Sequence, residues 1–128
     1  MNRVVVGIGS NIDPDRNIAK AHQRMAEQFC IVATSPVVET APIGNTNQPN
    51  FKNGAALLET SLNRESVVRI LKAIEAELGR EPGGDRYGPR PIDLDVVVWN
   101  DCVVDRAYYT RDFLRDAVLS VLPALRTP

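Results

Sequence analysis

Hydrophobic residues follow two different spacings along this chain, and the spacings predict its secondary structure. Short apolar runs rich in β-branched residues predict β-strands. Apolar residues that recur every three or four positions predict amphipathic helices. The predicted strands cover residues 3–8, 31–34, 51–60 and 92–99, and the predicted helices run from Asp13 to about Gln28, from Asn63 to Gly79, and around Phe113–Leu122.

The order of these elements is strand, helix, strand, strand, helix, strand, followed by a last helix. This order is typical of a ferredoxin-like α+β fold with the pattern βαββαβ. We therefore expect a four-stranded antiparallel sheet with helices on one face and an extra C-terminal helix. The length of 128 residues suits one domain, which we place at residues 1–128. Turn-forming residues at 39–50 and 80–90 predict two long loops.

The charge and composition restrict the partners that the chain can have. Fifteen basic and sixteen acidic residues give a formal net charge of −1, whereas a nucleic-acid partner needs a concentrated basic face. No run approaches the ~18 apolar residues of a membrane helix. Cys30 and Cys102 stand singly in apolar surroundings, which indicates buried free thiols in a reducing compartment. We expect a cytoplasmic protein, monomeric or dimeric, that binds neither nucleic acid nor membrane.

The most distinctive chemistry lies at the start of the fourth predicted strand, where residues 86–95 read Arg-Tyr-Gly-Pro-Arg-Pro-Ile-Asp-Leu-Asp. Alternation along a strand places Asp93 and Asp95 on the same face. Such a pair suits Mg2+, which takes one or two carboxylates together with water and phosphate oxygens. Arg86 and Arg90 add guanidinium groups that bind phosphate. On spacing alone, the alternative is a surface ion-pair network.

A second group of candidates lies at the start of the third predicted strand. Phe51 and Asn53 share one face of that strand, so an aromatic ring and an amide project together beside the 39–50 loop. An amide in an otherwise apolar strand must find hydrogen-bond partners, which makes Asn53 a candidate for ligand recognition. Phe51, and Phe113 in the terminal segment, are equally compatible with plain core positions.

Taken together, these motifs resemble the 6-hydroxymethyl-7,8-dihydropterin pyrophosphokinase family, a folate-pathway family with a ferredoxin-like fold. The resemblance covers roughly residues 3–100 and is most specific at residues 86–95. The other matching motifs are Gly9-Ser10-Asn11, Glu39-Thr40-Ala41-Pro42-Ile43-Gly44, Gln48-Pro49-Asn50-Phe51-Lys52-Asn53, and Ile74-Glu75 with Leu78-Gly79-Arg80.

The resemblance implies an ATP-dependent pyrophosphokinase. Members transfer a diphosphate from ATP to the pterin hydroxymethyl group with two Mg2+ ions and release AMP. By position, Asp93 and Asp95 would hold the metal ions and act in catalysis with Arg80, Arg86 and Arg90. The residues that would bind ATP are Glu75, Arg80, Arg86, Arg90 and Arg111.

The same resemblance implies a pterin site. Asn53 would read the pterin edge, Phe51 and Phe113 would stack on its two ring faces, and Tyr87 would close over it. The remaining pterin-binding candidates lie in or beside the 39–50 loop and are Thr40, Ala41, Pro42, Ile43, Gly44 and Gln48.

The region after the fourth predicted strand departs from the family pattern. Members usually continue with a His-Pro segment whose His and neighbouring aromatic residue contact the nucleotide, whereas residues 105–113 contain neither His nor Pro. The chain therefore resembles a shortened member, in which Tyr108 or Tyr109 would have to supply those contacts. An active pyrophosphokinase and a pterin-binding module that has lost phosphoryl transfer, or acts on a related pterin, both stay open. A ferredoxin-like domain without chemistry would leave Asn53 and Asp93 unexplained.

Overall fold

The structure, a computed structural model, describes residues 1–80 and 88–125. Within these residues the chain forms six strands and four helices. In order they are β1 (Asn2–Ser10), α1 (Pro14–Gln28), β2 (Cys30–Thr34), β3 (Val38–Thr40), β4 (Phe51–Thr60), α2 (Arg64–Glu77), β5 (Asp93–Trp99), β6 (Cys102–Val103), α3 (Ala107–Thr110) and α4 (Asp112–Val121).

The described strands form one sheet in the order β2-β4-β1-β5-β6, with β3 also paired to β4. All of these pairs are antiparallel. The predicted α+β class and the central ferredoxin-like order fit this arrangement, but the prediction of four strands is wrong. The two additional strands are three and two residues long, which is too short for an apolar pattern to reveal them.

β3 follows an interruption of strand pairing at Pro36, and β6 follows a tight turn after β5. Pro36 follows β2 and cannot donate a backbone hydrogen bond, and the chain then pairs again, with Val38 opposite Asn53 and Thr40 opposite Phe51. Between β5 and β6, Asn100 and Asp101 adopt left-handed backbone angles, with φ of 48° and 66°. Two such residues make a tight hairpin turn, so the chain folds back immediately after β5.

The sheet has a separate apolar core on each face. Alternate residues of β1 divide between them, because Val4 and Val6 join the core under α1 and α2, whereas Val5 joins the core under α4 with Val118. The first two helices thus share one face, as predicted, while the C-terminal helix covers the opposite face.

The sequence signals at the ends of α2 act as expected. The Asn63 side chain accepts a hydrogen bond from the Ser66 N–H at 2.8 Å and caps the helix. Gly79 follows the helix with φ of 101°, a conformation that costs glycine little.

Two further sequence expectations concern surface properties. Cys30 and Cys102 are free but exposed, so the prediction of buried thiols is wrong, since both lie on outer strands of the sheet. None of the helices formed by residues 1–80 and 88–125 has the length and apolar character required to span a bilayer.

Candidate active site

A cleft of about 370 Å³ opens on the α4 face of the sheet, beside the ends of β1, β4 and β5. Residues from the sheet, from the 41–50 loop and from the segment around α3 and α4 form its walls. The lining residues are Gly9, Thr40, Ala41, Ile43, Phe51, Asn53, Gly88, Arg90, Asp93, Asp95, Asp105, Ala107, Arg111 and Phe113.

The floor of the cleft is bare backbone, because β1 carries glycine where its neighbours carry functional side chains. Gly9 pairs with Asn53 on one side and with Asp93 on the other. Neighbouring strands are ~4.8 Å apart, so the Cα atoms of Asn53 and Asp93 are separated by about 10 Å. A Cβ atom at Gly9 would lie only 2.9 Å from Asn53 Oδ1. Glycine at this position therefore leaves room both for the amide and for a ligand between the two strands.

One side of the cleft combines aromatic rings with an oriented amide. Phe51 and Phe113 are half-buried and line the cleft. The Asn53 Nδ2 group donates a hydrogen bond to Thr40 Oγ1 at 2.6 Å, which supplies the partner that a half-buried amide needs. This side can accept a flat ring between aromatic surfaces and read its polar edge.

The opposite side is a charged network centred on Asp93. Arg80 Nη1 lies 2.7 Å from Asp93 Oδ1 and 2.9 Å from Glu75 Oε2, and Arg90 Nη1 lies 3.5 Å from Asp93 Oδ1. Burial alone would lower the pKa of Arg80, but the charges of Glu75 and Asp93 outweigh it and raise the pKa. The arginine therefore stays charged beside the acidic residues.

Glu75 connects this network to the fold. Its side chain is almost fully buried, with a residue exposure of 3%, and Oε2 accepts a hydrogen bond from the Leu94 backbone N–H at 2.7 Å. Lys72 Nζ lies 3.3 Å from Glu75 Oε1. Because a buried carboxylate requires such partners, Glu75 holds Arg80 and the strand between the two aspartates in one arrangement.

Asp95 lies in a different electrostatic environment from Asp93. Its side chain is 46% exposed, and Lys72 Nζ lies 3.7 Å from its Oδ1. Partial burial removes water from part of this carboxylate and, together with the negative charge of Asp93, raises the pKa of Asp95 to about 7, although Lys72 partly opposes this. A cation at this carboxylate would offset the cost of its charge.

The donor set fits a metal that needs few protein ligands. Among residues 1–80 and 88–125, no group of three or more His, Cys, Asp or Glu side chains could hold a metal ion. Asp93 and Asp95 nevertheless face one open cleft, and Mg2+ commonly binds one or two carboxylates and completes its shell with water and phosphate. The site thus fits Mg2+ delivered with a phosphate ligand better than a metal held by protein alone.

A second cleft, of about 400 Å³, adjoins the first. Asp95 and Asp105 line both clefts, and the second one is also lined by the basic residues Arg64, Lys72 and Arg106. Its apolar lining comes from α2, β5 and the segment after β6 and consists of Val68, Leu71, Leu94, Val96 and Val104. An anionic ligand with an apolar part would suit this second cleft.

The predicted site residues lie in different parts of the site. The ones that line the first cleft are Thr40, Ala41, Ile43, Phe51, Asn53, Arg90, Asp93, Asp95, Arg111 and Phe113. Glu75 and Arg80 support the carboxylates by the contacts given above, and Pro42, Gly44 and Gln48 belong to the 41–50 loop. The predictions for Arg86 and Tyr87 fall outside the described residues.

The two tyrosines considered as nucleotide contacts differ in exposure. Tyr108 is 3% exposed and belongs to the core under α4. Tyr109 is 51% exposed and packs edge-on against Tyr108, with ring centroids 5.1 Å apart. Of the two, only Tyr109 presents a surface that a ligand could contact.

Sequence reasoning missed several residues at this site. Asp105 lines both clefts, and Lys72 approaches Glu75 and Asp95. The position of Lys72 three residues before Glu75 on the same helix was a usable signal. For Gly9, the signal was its place in the Gly9-Ser10-Asn11 motif.

The chain is similar to proteins of folate synthesis. The sequence model of the family described as 7,8-dihydro-6-hydroxymethylpterin-pyrophosphokinase (HPPK) matches residues 5–123. A "2-amino-4-hydroxy-6-hydroxymethyldihydropteridine pyrophosphokinase" of Methylorubrum extorquens is 34% identical over 128 residues, which cover 96% of this chain and 80% of the relative.

Two other relatives match a smaller share of their own length. The protein of the same name from Pseudomonas aeruginosa is 38% identical over 82% of this chain and 66% of its own length. A "Folate synthesis bifunctional protein" of Arabidopsis thaliana is 41% identical over 75% of this chain, but the match spans only 20% of the plant protein.

Proposed function

Because the chain belongs to the 7,8-dihydro-6-hydroxymethylpterin-pyrophosphokinase family, we propose that it is an ATP-dependent diphosphotransferase of folate biosynthesis. Its substrates are ATP and 6-hydroxymethyl-7,8-dihydropterin, and its products are AMP and the pterin diphosphate. The cytoplasmic location, the single domain, the lack of a nucleic-acid or membrane partner and the choice between monomer and dimer stay predictions from sequence.

The proposed reaction breaks one phosphoanhydride bond and forms one phosphate ester. The hydroxymethyl oxygen attacks the β-phosphorus of ATP and loses its proton. The bond from the β-phosphorus to the oxygen that bridges it to the α-phosphorus breaks, and AMP leaves with that oxygen. Positioning of the two reactants and stabilisation of the phosphate charge supply most of the catalysis in such transfers.

The observation that carries the proposal is the row Asn53, Gly9, Asp93 across three neighbouring strands. In this row, the Asn53 amide, which can hydrogen-bond to the polar edge of a ring, and the Asp93 carboxylate lie on opposite sides of Gly9. A pterin whose edge is bound at Asn53 would therefore direct its substituent toward Asp93 and Asp95. Flat, polar-edged bicycles suit the Phe51 and Phe113 side of the cleft.

The remaining pterin contacts that we propose come from the loop that forms the adjacent wall. Thr40 orients Asn53, and Ala41 and Ile43 line the cleft. Pro42, Gly44 and Gln48 belong to the same loop and would shape it, and Tyr87 would close over the ring as the family resemblance implies.

For the metal, we propose that Asp93 and Asp95 hold two Mg2+ ions together with phosphate oxygens and water. Bound Mg2+ would neutralise phosphate charge and polarise the β-phosphoryl group. The protein's own part is to present two carboxylates on one rigid strand, fixed to α2 by Glu75.

ATP would occupy the second cleft, with its phosphates directed toward Asp95. Asp95 borders both clefts and basic residues surround the second one, so the triphosphate would meet the pterin where the clefts join. Arg80 and Arg90 would exchange part of their pairing with Asp93 for phosphate, and Arg86 and Arg111 would add charge. Arginine binds phosphate in fixed bidentate geometry, which suits this exchange.

The test is AMP formation from ATP, Mg2+ and 6-hydroxymethyl-7,8-dihydropterin. We expect the chain to release AMP only when all three are present. Asp95→Ala should lower the rate by at least about 10³-fold, as loss of a group that holds the phosphate-bound cation removes several kcal/mol of transition-state stabilisation. Circular dichroism should show an unchanged fold.

Asp116→Ala is the matched control, because Asp116 is an exposed aspartate on α4 away from the cleft lining. It should retain the wild-type rate. Tight pterin binding by calorimetry without AMP at any Mg2+ concentration would instead show a binding module, and absence of both would refute the proposed function.

A further inference from the structure

Asn11 lies directly after β1 and makes more polar contacts than its place in a turn requires. Its Nδ2 group donates hydrogen bonds to Gln48 Oε1 at 2.9 Å and to the Pro49 carbonyl at 3.1 Å. Its Oδ1 atom accepts from the Arg90 backbone N–H at 2.8 Å, and its own backbone N–H donates to the Arg90 carbonyl at 3.1 Å. The residue is only 5% exposed.

These contacts join two segments that are far apart in the sequence. One is the 41–50 loop, whose Ala41 and Ile43 line the first cleft, and the other is the segment at Arg90, whose guanidinium lies beside Asp93. The partners are 37, 38 and 79 residues from Asn11 along the chain. One buried amide therefore connects the ring-binding wall of the cleft to its charged wall.

The connection extends further into the loop. Gln48 Nε2 donates to the Asn45 carbonyl at 2.7 Å, and Asn45 Oδ1 accepts from the Asn47 backbone N–H at 3.0 Å. A displacement at Asn11 would therefore be transmitted through Gln48 to the turn at 45–47. Loop backbone groups held by side chains in this way lose their fixed position when the side chain is removed.

We propose that Asn11 is a positioning residue that fixes the distance between the 41–50 loop and the segment at Arg90. The proposal rests on the proposed function, because it assumes that one wall holds the pterin and the other the ATP phosphates. With the hydrogen bonds of Asn11 intact, the hydroxymethyl oxygen of the pterin and the β-phosphorus of ATP are held at reaction distance. Without them, each wall keeps its own side chains but their separation is no longer set.

Substitutions can test the hydrogen bonds of the Asn11 oxygen and nitrogen separately. Asn11→Asp keeps an oxygen that accepts from the Arg90 N–H, but it has no donor for Gln48 and Pro49. Asn11→Ala removes both atoms. Asn63→Ala is the control, because it removes an exposed asparagine hydrogen bond that caps α2 and costs stability outside the clefts.

The first measurement is amide hydrogen exchange of the ligand-free chain. In Asn11→Asp, we expect the Asn47 amide to exchange about tenfold faster and the Arg90 amide to stay protected. In Asn11→Ala, both should exchange faster, since a lost hydrogen bond of this kind changes a local equilibrium by roughly tenfold. Asn63→Ala should leave both amides unchanged.

The second measurement is the kinetics of AMP release. We expect Asn11→Asp to raise the KM for the pterin about tenfold while the KM for ATP changes less than twofold, and Asn11→Ala also to lower kcat. If Asn63→Ala gives the same pattern, the effect is general destabilisation and the proposal is wrong.

The two readouts separate this proposal from the proposed function. Failure of the wild-type chain to release AMP would refute the proposed function. Amide hydrogen exchange at Asn47 and Arg90 would still test whether Asn11 connects the two segments. Unchanged exchange at Asn47 in Asn11→Asp would overturn the role of Asn11 whether or not the chain releases AMP.

Discussion

The two faces of the sheet differ most clearly along β1. On the face covered by α1 and α2, this strand presents Val4, Val6 and Ile8, which are all buried in one apolar core. On the opposite face it presents Val5, Gly7 and Gly9, so no side chain covers this face of the strand after Val5. The first face is closed along its length, and the second opens into the cleft.

The covering helices match this difference. Helices α1 and α2 have fifteen and fourteen residues, whereas α4 has ten. A Cβ atom at Gly7 would lie 3.2 Å from Leu114 Cδ1, so α4 approaches the backbone closely there and leaves Gly9 uncovered. The comparison shows that one strand can supply both the core and the site, because successive residues face opposite sides.

Removing a large side chain from the closed face should have the largest effect on stability. Leu58 is fully buried in the core under α1 and α2, so Leu58→Ala should lower the free energy of unfolding by about 2–5 kcal/mol. Leu114→Ala on the open face should cost less, because Leu114 is only half-buried. Urea denaturation measures both. An equal loss in the two variants would contradict the distinction between the faces.

Adding a methyl group to the open face should affect binding more than stability. In Gly9→Ala, the new Cβ would lie 2.9 Å from Asn53 Oδ1, and the amide side chain can turn away at small cost. We expect a change in unfolding free energy within about 1 kcal/mol and a pterin affinity at least about tenfold weaker by calorimetry.

Gly7→Ala provides the comparison for that variant. Its Cβ would meet Leu114 and Val97 at 3.2 Å, so it should crowd α4 and lower stability without displacing Asn53. Should Gly9→Ala bind pterin as tightly as the wild type, the glycine floor would not be part of the ligand site.

The open face should also make stability depend on pH. Between the ordinary Asp pKa of 3.8 and about 7, the folded chain holds a proton on Asp95 that the unfolded chain has released. The free energy of unfolding should therefore fall as pH rises through this window. Solvent screens a side chain that is 46% exposed, so the expected fall is about 1 kcal/mol or less.

Thermal denaturation of the wild type and Asp95→Asn from pH 4 to pH 8 measures this slope. The variant should gain stability relative to the wild type as pH rises, and Mg2+ should stabilise the wild type more at pH 8 than at pH 5, because the metal binds the deprotonated carboxylate. Parallel curves for the two proteins without metal would contradict the raised pKa.

Local signals made much of the fold predictable. The apolar run of β4 predicts Phe51–Thr60, which is its observed extent, and Asn63 and Gly79 mark the ends of α2 because capping depends on neighbouring residues only. The short β3 and β6 and the placement of the C-terminal helix were not predictable in this way. β3 pairs with the next strand and β6 with the preceding one, but both are too short to leave an apolar pattern. The placement of the C-terminal helix depends on which face of the sheet is left uncovered.

The candidate site divides along the same line. That Asp93 and Asp95 share a face, as Phe51 and Asn53 do, follows from strand alternation, and these four side chains all line the cleft. The pairing of Arg80 with Asp93 and the bonds of Asn11 to Arg90 connect residues 13 and 79 positions apart. No local pattern specifies such contacts.

The exposed cysteines provide attachment points for spectroscopic labels. Cys30 pairs with Glu59, which pairs with Arg3, and next to Arg3 the residues Val4, Trp99 and Cys102 continue the row across the sheet. Four interstrand steps place the two thiols roughly 20 Å apart, at the opposite end of β1 from Gly9. Probes attached there would report on movement between the sheet edges when ligands are added, without occupying the cleft.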